Sequence, residues 1–111
     1  MGKGSLAARR GNRMNRGCIS SGSQTADAQI HTGAGVLSAI IVIPDGTNEA
    51  LIEAYDGTDN TGTKLAAVKV AGDGLMGGHE NIDVEYSTGL FIDVTLSAGT
   101  VEYIAYFQKD S

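Results

Sequence analysis

The sequence predicts an all-β chain: a single antiparallel β-sandwich of about seven strands, in jelly-roll or immunoglobulin-like order, preceded by an extended basic N-terminal arm. Three observations predict it. Apolar residues recur with period two or in short unbroken runs, and no stretch holds a useful helical period. Turn signals built on Gly, Asp, Asn and Ser return roughly every ten residues, the spacing of sandwiches and small barrels. The segments between them are too short for the crossovers that parallel strands require. The 16 glycines and the single proline, Pro44, fit many short elements joined by tight turns.

Residues 1–25 are the expected arm and 26–111 the expected sandwich. Gly2, Gly4, Gly11, Gly17 and Gly22 interrupt the arm, and Ser and Asn fill it. Such a composition buries too little apolar surface to order itself, so it is expected to order on a partner. Residues 28–32 are a weak first strand, ended by Gly33-Ala34-Gly35. Residues 36–43 are nearly continuous in apolar side chains, which places this strand centrally with both faces covered. Pro44-Asp45-Gly46-Thr47-Asn48 is a turn, with Pro fixing φ and Asp bonding nearby backbone. Residues 50–55 form the next strand, 56–63 a polar loop, and 64–70 a fourth strand. A glycine-rich loop, 71–78, leads to 82–86, where Ile82, Val84 and Tyr86 alternate with Asp83 and Glu85. Ser87-Thr88-Gly89 turns the chain into a strand over 90–96, and Ser97-Ala98-Gly99 turns it again. The last strand, 101–108, sets Val101, Tyr103, Ala105 and Phe107 on one face.

Charge divides the chain near the same boundary. Lys3, Arg9, Arg10, Arg13 and Arg16 give the first 26 residues a side-chain charge of +5 with no acid. From Asp27 onward three lysines oppose thirteen acids, and 3 − 13 = −10. Asymmetry of this size implies different surroundings for the two parts, so the five arm cations are the candidate partner-binding residues. The strand acids Glu53, Asp83, Glu85, Asp93 and Glu102 are expected on solvated faces, where they also discourage edge pairing. The longest apolar stretch, 39–44, falls far short of the about 20 residues a membrane-spanning helix needs. Leu6-Ala7-Ala8 is too short for the core of a secretory signal.

No catalytic constellation, metal site or cofactor site is expected. Cys18 stands alone and makes no internal disulfide. His31 and His79 lack partners at zinc spacing, and His79 is expected in a loop. Asp56, Thr58 and Asn60 place oxygens at alternate positions as a calcium loop does, with Asp45, Glu49 and Asp73 able to approach at one end of the sandwich. The glycine comes late, however, and no bidentate Glu follows, so a sandwich loop is the expectation. Paired carboxylates for glycoside hydrolysis lack a Trp or an aromatic cluster to hold a sugar. Nucleic acid is set aside as partner, because no aromatic is interleaved with the arm's arginines to stack on bases.

The stretch Ile43-Pro44-Asp45-Gly46-Thr47-Asn48-Glu49-Ala50, with Tyr55-Asp56-Gly57-Thr58 and Gly62-Thr63-Lys64, resembles small β-sandwich virion proteins of tailed bacteriophages. So does the ending, Ser87-Thr88-Gly89-Leu90-Phe91-Ile92-Asp93-Val94 with Tyr103-Ile104-Ala105-Tyr106-Phe107. The resemblance covers residues 30–108, rests on turn and strand chemistry, and leaves out the arm. It implies a structural part of the particle, assembled in the host cytoplasm, with no catalytic residues to carry over. The expectation is a non-enzymatic capsid decoration (cement) protein that self-associates and clamps onto the major capsid protein through its arm. About 25 extended residues span up to roughly 80 Å, so an arm reaches far. A tail or head–tail junction component is the alternative within that class. A carbohydrate-binding module is the alternative from another class.

Overall fold

A computed structural model of the chain describes residues 18–71, 77–79 and 82–110. They form nine strands and no helix: β1 (Ile19–Ser20), β2 (Ala28–Thr32), β3 (Gly35–Pro44), β4 (Ala50–Asp56), β5 (Thr63–Val70), β6 (Gly77–His79), β7 (Val84–Tyr86), β8 (Gly89–Leu96) and β9 (Val101–Lys109). One sheet runs β1-β9-β3, with β6 and β7 both on the far side of β3; the other runs β2-β8-β4-β5. Every pairing is antiparallel. The molecule is an all-β sandwich.

β6 and β7 act as one interrupted strand. β6 pairs with residues 40–42 and β7 with 35–37, so they follow each other along β3. Between them the Ile82 amide still donates to the Ser38 carbonyl at 2.9 Å. Asp83, with φ of 50°, breaks the extended backbone there. Counting this pair as one gives eight strands that pair first with last: β1·β9, β2·β8, β3·β6/β7 and β4·β5. A ribbon so paired and folded over on itself is a jelly roll. The immunoglobulin-like order, in which the first two strands and the last two strands are sheet neighbours, is not the one adopted.

The strands form where alternation meets a core. Val101, Tyr103, Ala105 and Phe107 all point inward from β9, as their spacing predicts, and are at most 4 % exposed. They meet Leu37, Ile40 and Val42 of β3 and, from the second sheet, Ile52, Leu90 and Ile92, all fully buried. Each such side chain contributes about 1.5–3 kcal/mol by leaving water. Tyr103 is buried whole because its hydroxyl donates to the Ala26 carbonyl at 2.9 Å.

Three expectations need correction. The run over 36–43 is central in its sheet and closed on its inner face, but its outer face is covered only in part, from the buried Val36 to the exposed Ile43. A register shift between Leu37 and Ala39 turns Leu37, Ile40 and Val42 inward, while Ile41 stays half-buried and Ile43 is 37 % exposed. The run is continuous because the outer face is also apolar. Next, the strand expected at 82–86 is shorter, and the glycine-rich loop supplies β6, which puts His79 on a strand. Glycine backbone pairs with β3 without any side-chain signal. Last, the boundary expected at residue 25 falls earlier, because residues 19–24 already belong to the sheet.

Candidate functional site

The five cations singled out by sequence, Lys3, Arg9, Arg10, Arg13 and Arg16, lie outside the described residues. What the structure places is the root of their segment. The described chain begins at the exposed Cys18, whose Sγ lies 3.9 Å from Gln108 Nε2. From there it is zipped along β9. Ile19 sits opposite Phe107, and Ser20 opposite Tyr106. The Ser21 amide donates to the Ala105 carbonyl at 2.8 Å, and the Ala105 amide donates to Ser21 Oγ at 2.9 Å. Gln24 and Tyr103 exchange both backbone hydrogen bonds at 2.9 Å, and the Ser23 hydroxyl donates to Glu102. This segment has no alternation to announce it. It forms because β9 would otherwise present an unpaired edge. A pull on residues 1–17 therefore loads a row of hydrogen bonds into the first sheet.

The two outer faces of the sandwich are the next candidates, and they differ in kind. On the first sheet, Ile41 faces Ile104 across the β3–β9 pair, Ala39 faces Tyr106, and the exposed Ile43 faces Glu102. Over residues 39–43 of β3 and 102–106 of β9 there is no Lys or Arg; the exposed Lys109 stands at the far end of β9. On the second sheet, Tyr55 faces Phe91 and Glu53 faces Asp93 across the β4–β8 pair. Two carboxylates directly opposite repel. Lys64 offsets this with its Nζ 2.5 Å from Glu53, and Asn60 donates to Asp93 at 2.9 Å. The Lys64 ammonium also lies 5.9 Å from the Tyr55 ring centroid, a cation–π contact that helps leave Tyr55 only 9 % exposed. Sequence reading expected Glu53 and Asp93 on a solvated face but missed the apolar outer face of the first sheet, though the parity of β3 and β9 carries it.

The loop acids are committed to turns. Asp56 accepts from the amides of Ser87, Thr88 and Gly89 at 2.9, 2.8 and 3.3 Å. Burial pushes its carboxyl up, but those three amides and the Ser87 hydroxyl outweigh it and hold the pKa below the ordinary value. Asp59 accepts from the Thr61 hydroxyl and amide at 2.6 and 2.9 Å, which lowers its pKa in turn. Asp45 sits at the opposite end of β4, where it accepts from Thr47, Asn48 and Thr100. The Asn48 side chain, then the amides of Asn48, Thr47 and Thr100, hold its carboxyl well below the usual range. Gly99 enforces this turn: its φ is 73°, and a Cβ there would strike the Asp45 carboxylate. Asp45 and Asp56 therefore do not converge as a calcium site would ask, and Asp73 lies outside the described residues. Among the described residues no three His, Cys, Asp or Glu side chains gather as a metal would need.

His31 joins the two sheets. The Tyr86 hydroxyl and His31 Nδ1 are hydrogen-bonded at 2.6 Å, and the imidazole ring stacks on Phe107 with centroids 5.5 Å apart. Desolvation, then the positive charge of Lys109, lowers the His31 pKa, with Asp110 opposing them. Burial, helped by Asp110 and Asp56, raises that of Tyr86. This is a packed, neutral histidine bridging β2 to β7 and β9.

No protein-family model, no curated protein and no solved structure matches this chain.

Proposed function

We propose that the chain is a non-enzymatic structural protein of a virion, a capsid decoration protein that holds the particle through its basic N-terminal segment. One observation carries this reading. Residues bearing +5 enter the body through a strand locked onto β9, so a clamp and a compact acidic jelly roll are joined mechanically. Guanidinium groups fork onto carboxylates, which suits an acidic groove on a shell. The jelly-roll fold is shared by viral capsid domains, lectins and enzymes, so it allows this role without proving it. The loop acids support it by what they do: Asp45, Asp56 and Asp59 are spent on turns.

The test is attachment to particles. Full-length protein mixed with undecorated shells should co-sediment with them in many copies per particle, and less as salt rises. Co-sedimentation with tails in few copies would move the protein to a tail or head–tail junction. Absence from both would end the virion reading. A glycan-binding reading has less support, because the Tyr55 ring, paired with Phe91, lies under Lys64 rather than open as a platform.

A further inference from the structure

The outer face of the first sheet has a composition that ordinary solvation does not ask for. Ile41 and Ile104 meet on it, Tyr106 and Ala39 extend it, and Ile43 ends it at 37 % exposure. Beyond Ile43 it opens into a shallow depression of about 450 Å³, lined by Ser23, Thr25, Ile43, Pro44, Asp45 and Glu102 among others. The two ionisable side chains lining that depression, Asp45 and Glu102, are both acids. An apolar strip running into an acidic hollow suits an extended segment that is both apolar and basic. The chain itself has one: residues 1–17 carry Leu6-Ala7-Ala8 and Met14 among the five cations.

We propose that this strip and hollow are the dock for residues 1–17 of a second copy of the chain. The place where the described chain begins favours a second copy over the same one. Cys18 lies beside Gln108, and Glu102 is six residues away along β9, about 20 Å at strand spacing. β1 runs from beside Gln108 toward Glu102, antiparallel to β9, so within one molecule the segment that precedes it must double back to reach the hollow. Between copies no reversal is needed. The contact is head-to-tail, so it closes into a ring or runs on as a chain of copies. The inference rests on reading residues 1–17 as a clamp and names the neighbouring copy as a partner of that clamp.

The experiment uses two full-length variants. In one, Arg9, Arg10, Arg13 and Arg16 become Gln; in the other, Ile43→Lys is combined with Glu102→Lys. Far-UV circular dichroism checks that both keep the fold. Sedimentation velocity at low salt should show wild-type protein associating. Each variant alone should associate at least about tenfold more weakly, a difference of about 1.4 kcal/mol. An equimolar mixture of the two variants should regain paired species, because the intact arm of one docks on the intact face of the other. Docking within one molecule cannot produce that recovery. A synthetic peptide of residues 1–17 should also bind the arginine variant and not the face variant. Wild-type protein that stays monomeric at every soluble concentration would overturn the proposal. So would association that survives both variants, mixing that restores nothing, or a peptide that fails to bind the arginine variant. If any of these occurs while shells are still decorated, the virion reading stands and the dock lies elsewhere.

Discussion

The two outer faces of this sandwich solve the same problem in opposite ways. On the second sheet, outward positions hold Glu53, Lys64, Lys69, Asp93 and Thr95 together with Leu51 and the aromatic pair Tyr55–Phe91, with opposite charges in contact and Lys64 over the Tyr55 ring. Water is the natural neighbour of such a face, and its lysines guard the open edge at β5. On the first sheet, outward positions of β3 and β9 hold Val36, Ala39, Ile41, Ile43, Ile104 and Tyr106, with the polar Glu102 and Gln108 toward the two ends. Both sheets share one core and one topology, so folding does not demand the difference. The apolar face is the one built for contact, and the charged face is the one built to stay free.

The largest effect separates inside from outside on a single strand. Ile40 is fully buried and its neighbour Ile41 is half-buried on the outer face. Ile40→Asp puts an uncompensated charge in the core and should cost at least about 3–5 kcal/mol, a large share of a small domain's stability. Ile41→Asp should cost about 1 kcal/mol, the range of strand preference at a surface site. Urea denaturation of both variants measures the gap. Equal losses would mean that the first sheet's outer face is as closed as the core, and the contrast between the faces would fall.

Asp56 comes next. It ties the end of β4 to the turn that starts β8, so it braces the charged sheet rather than the apolar one. Asp56→Ala leaves three amides without their acceptor and should cost about 1–3 kcal/mol, a drop of several degrees in Tm. The pH dependence has a definite sign. The folded pKa lies below the model-compound value of 3.8, so the stabilisation is present above pH 3.8 and fades as pH falls through the folded value. Asp56→Ala should show a shallower loss of stability on acidification than wild type; an unchanged acid profile would mean the turn is held without it.

His31 gives a smaller effect at milder pH. Its folded pKa lies below 6.5, so the unfolded chain takes up protons first and stability falls as pH drops below 6.5. Once protonated, Nδ1 can only donate in its contact with the Tyr86 hydroxyl. Replacing His31 with Phe, which keeps a ring against Phe107, should flatten the stability profile between pH 7 and 5. A profile as steep as wild type would place the sensitivity on other groups.

Much of the fold was legible because most strands alternate. β2 matches its expected bounds, and β4, β5, β8 and β9 each differ by one residue. β1 was not legible, since Ile19-Ser20 has no pattern of its own and pairs only because β9 offers an edge. β6 was hidden in glycines for a similar reason. The apolar outer face was masked by its own strength: a run that is apolar on both faces looks the same in sequence as one buried on both. Contacts such as His31 with Tyr86, or Asp56 with Ser87 to Gly89, join residues more than 30 positions apart and leave no local trace. The arm cations were chosen on charge alone, and they lie outside the described residues.

The smallest effect tests the charged face directly. Glu53 and Asp93 stand opposite each other, and Lys64 is the cation bound to Glu53. The side-chain hydrogen bond and then the charge of Glu53 raise the Lys64 pKa, so the lysine stays protonated across the whole working range. Lys64→Gln should destabilise the protein less than any change above, because an exposed pair is screened and flexible. The same change should cost less again when Asp93 is already Asn, since Glu53 then no longer faces a second negative charge. A double-mutant cycle on Lys64 and Asp93 isolates that coupling. It should shrink as salt rises toward 1 M, where the screening length is about 3 Å. A coupling of zero at low salt would mean that Asn60 alone settles Asp93, and that the carboxylate pair on the second sheet needs no cation between them.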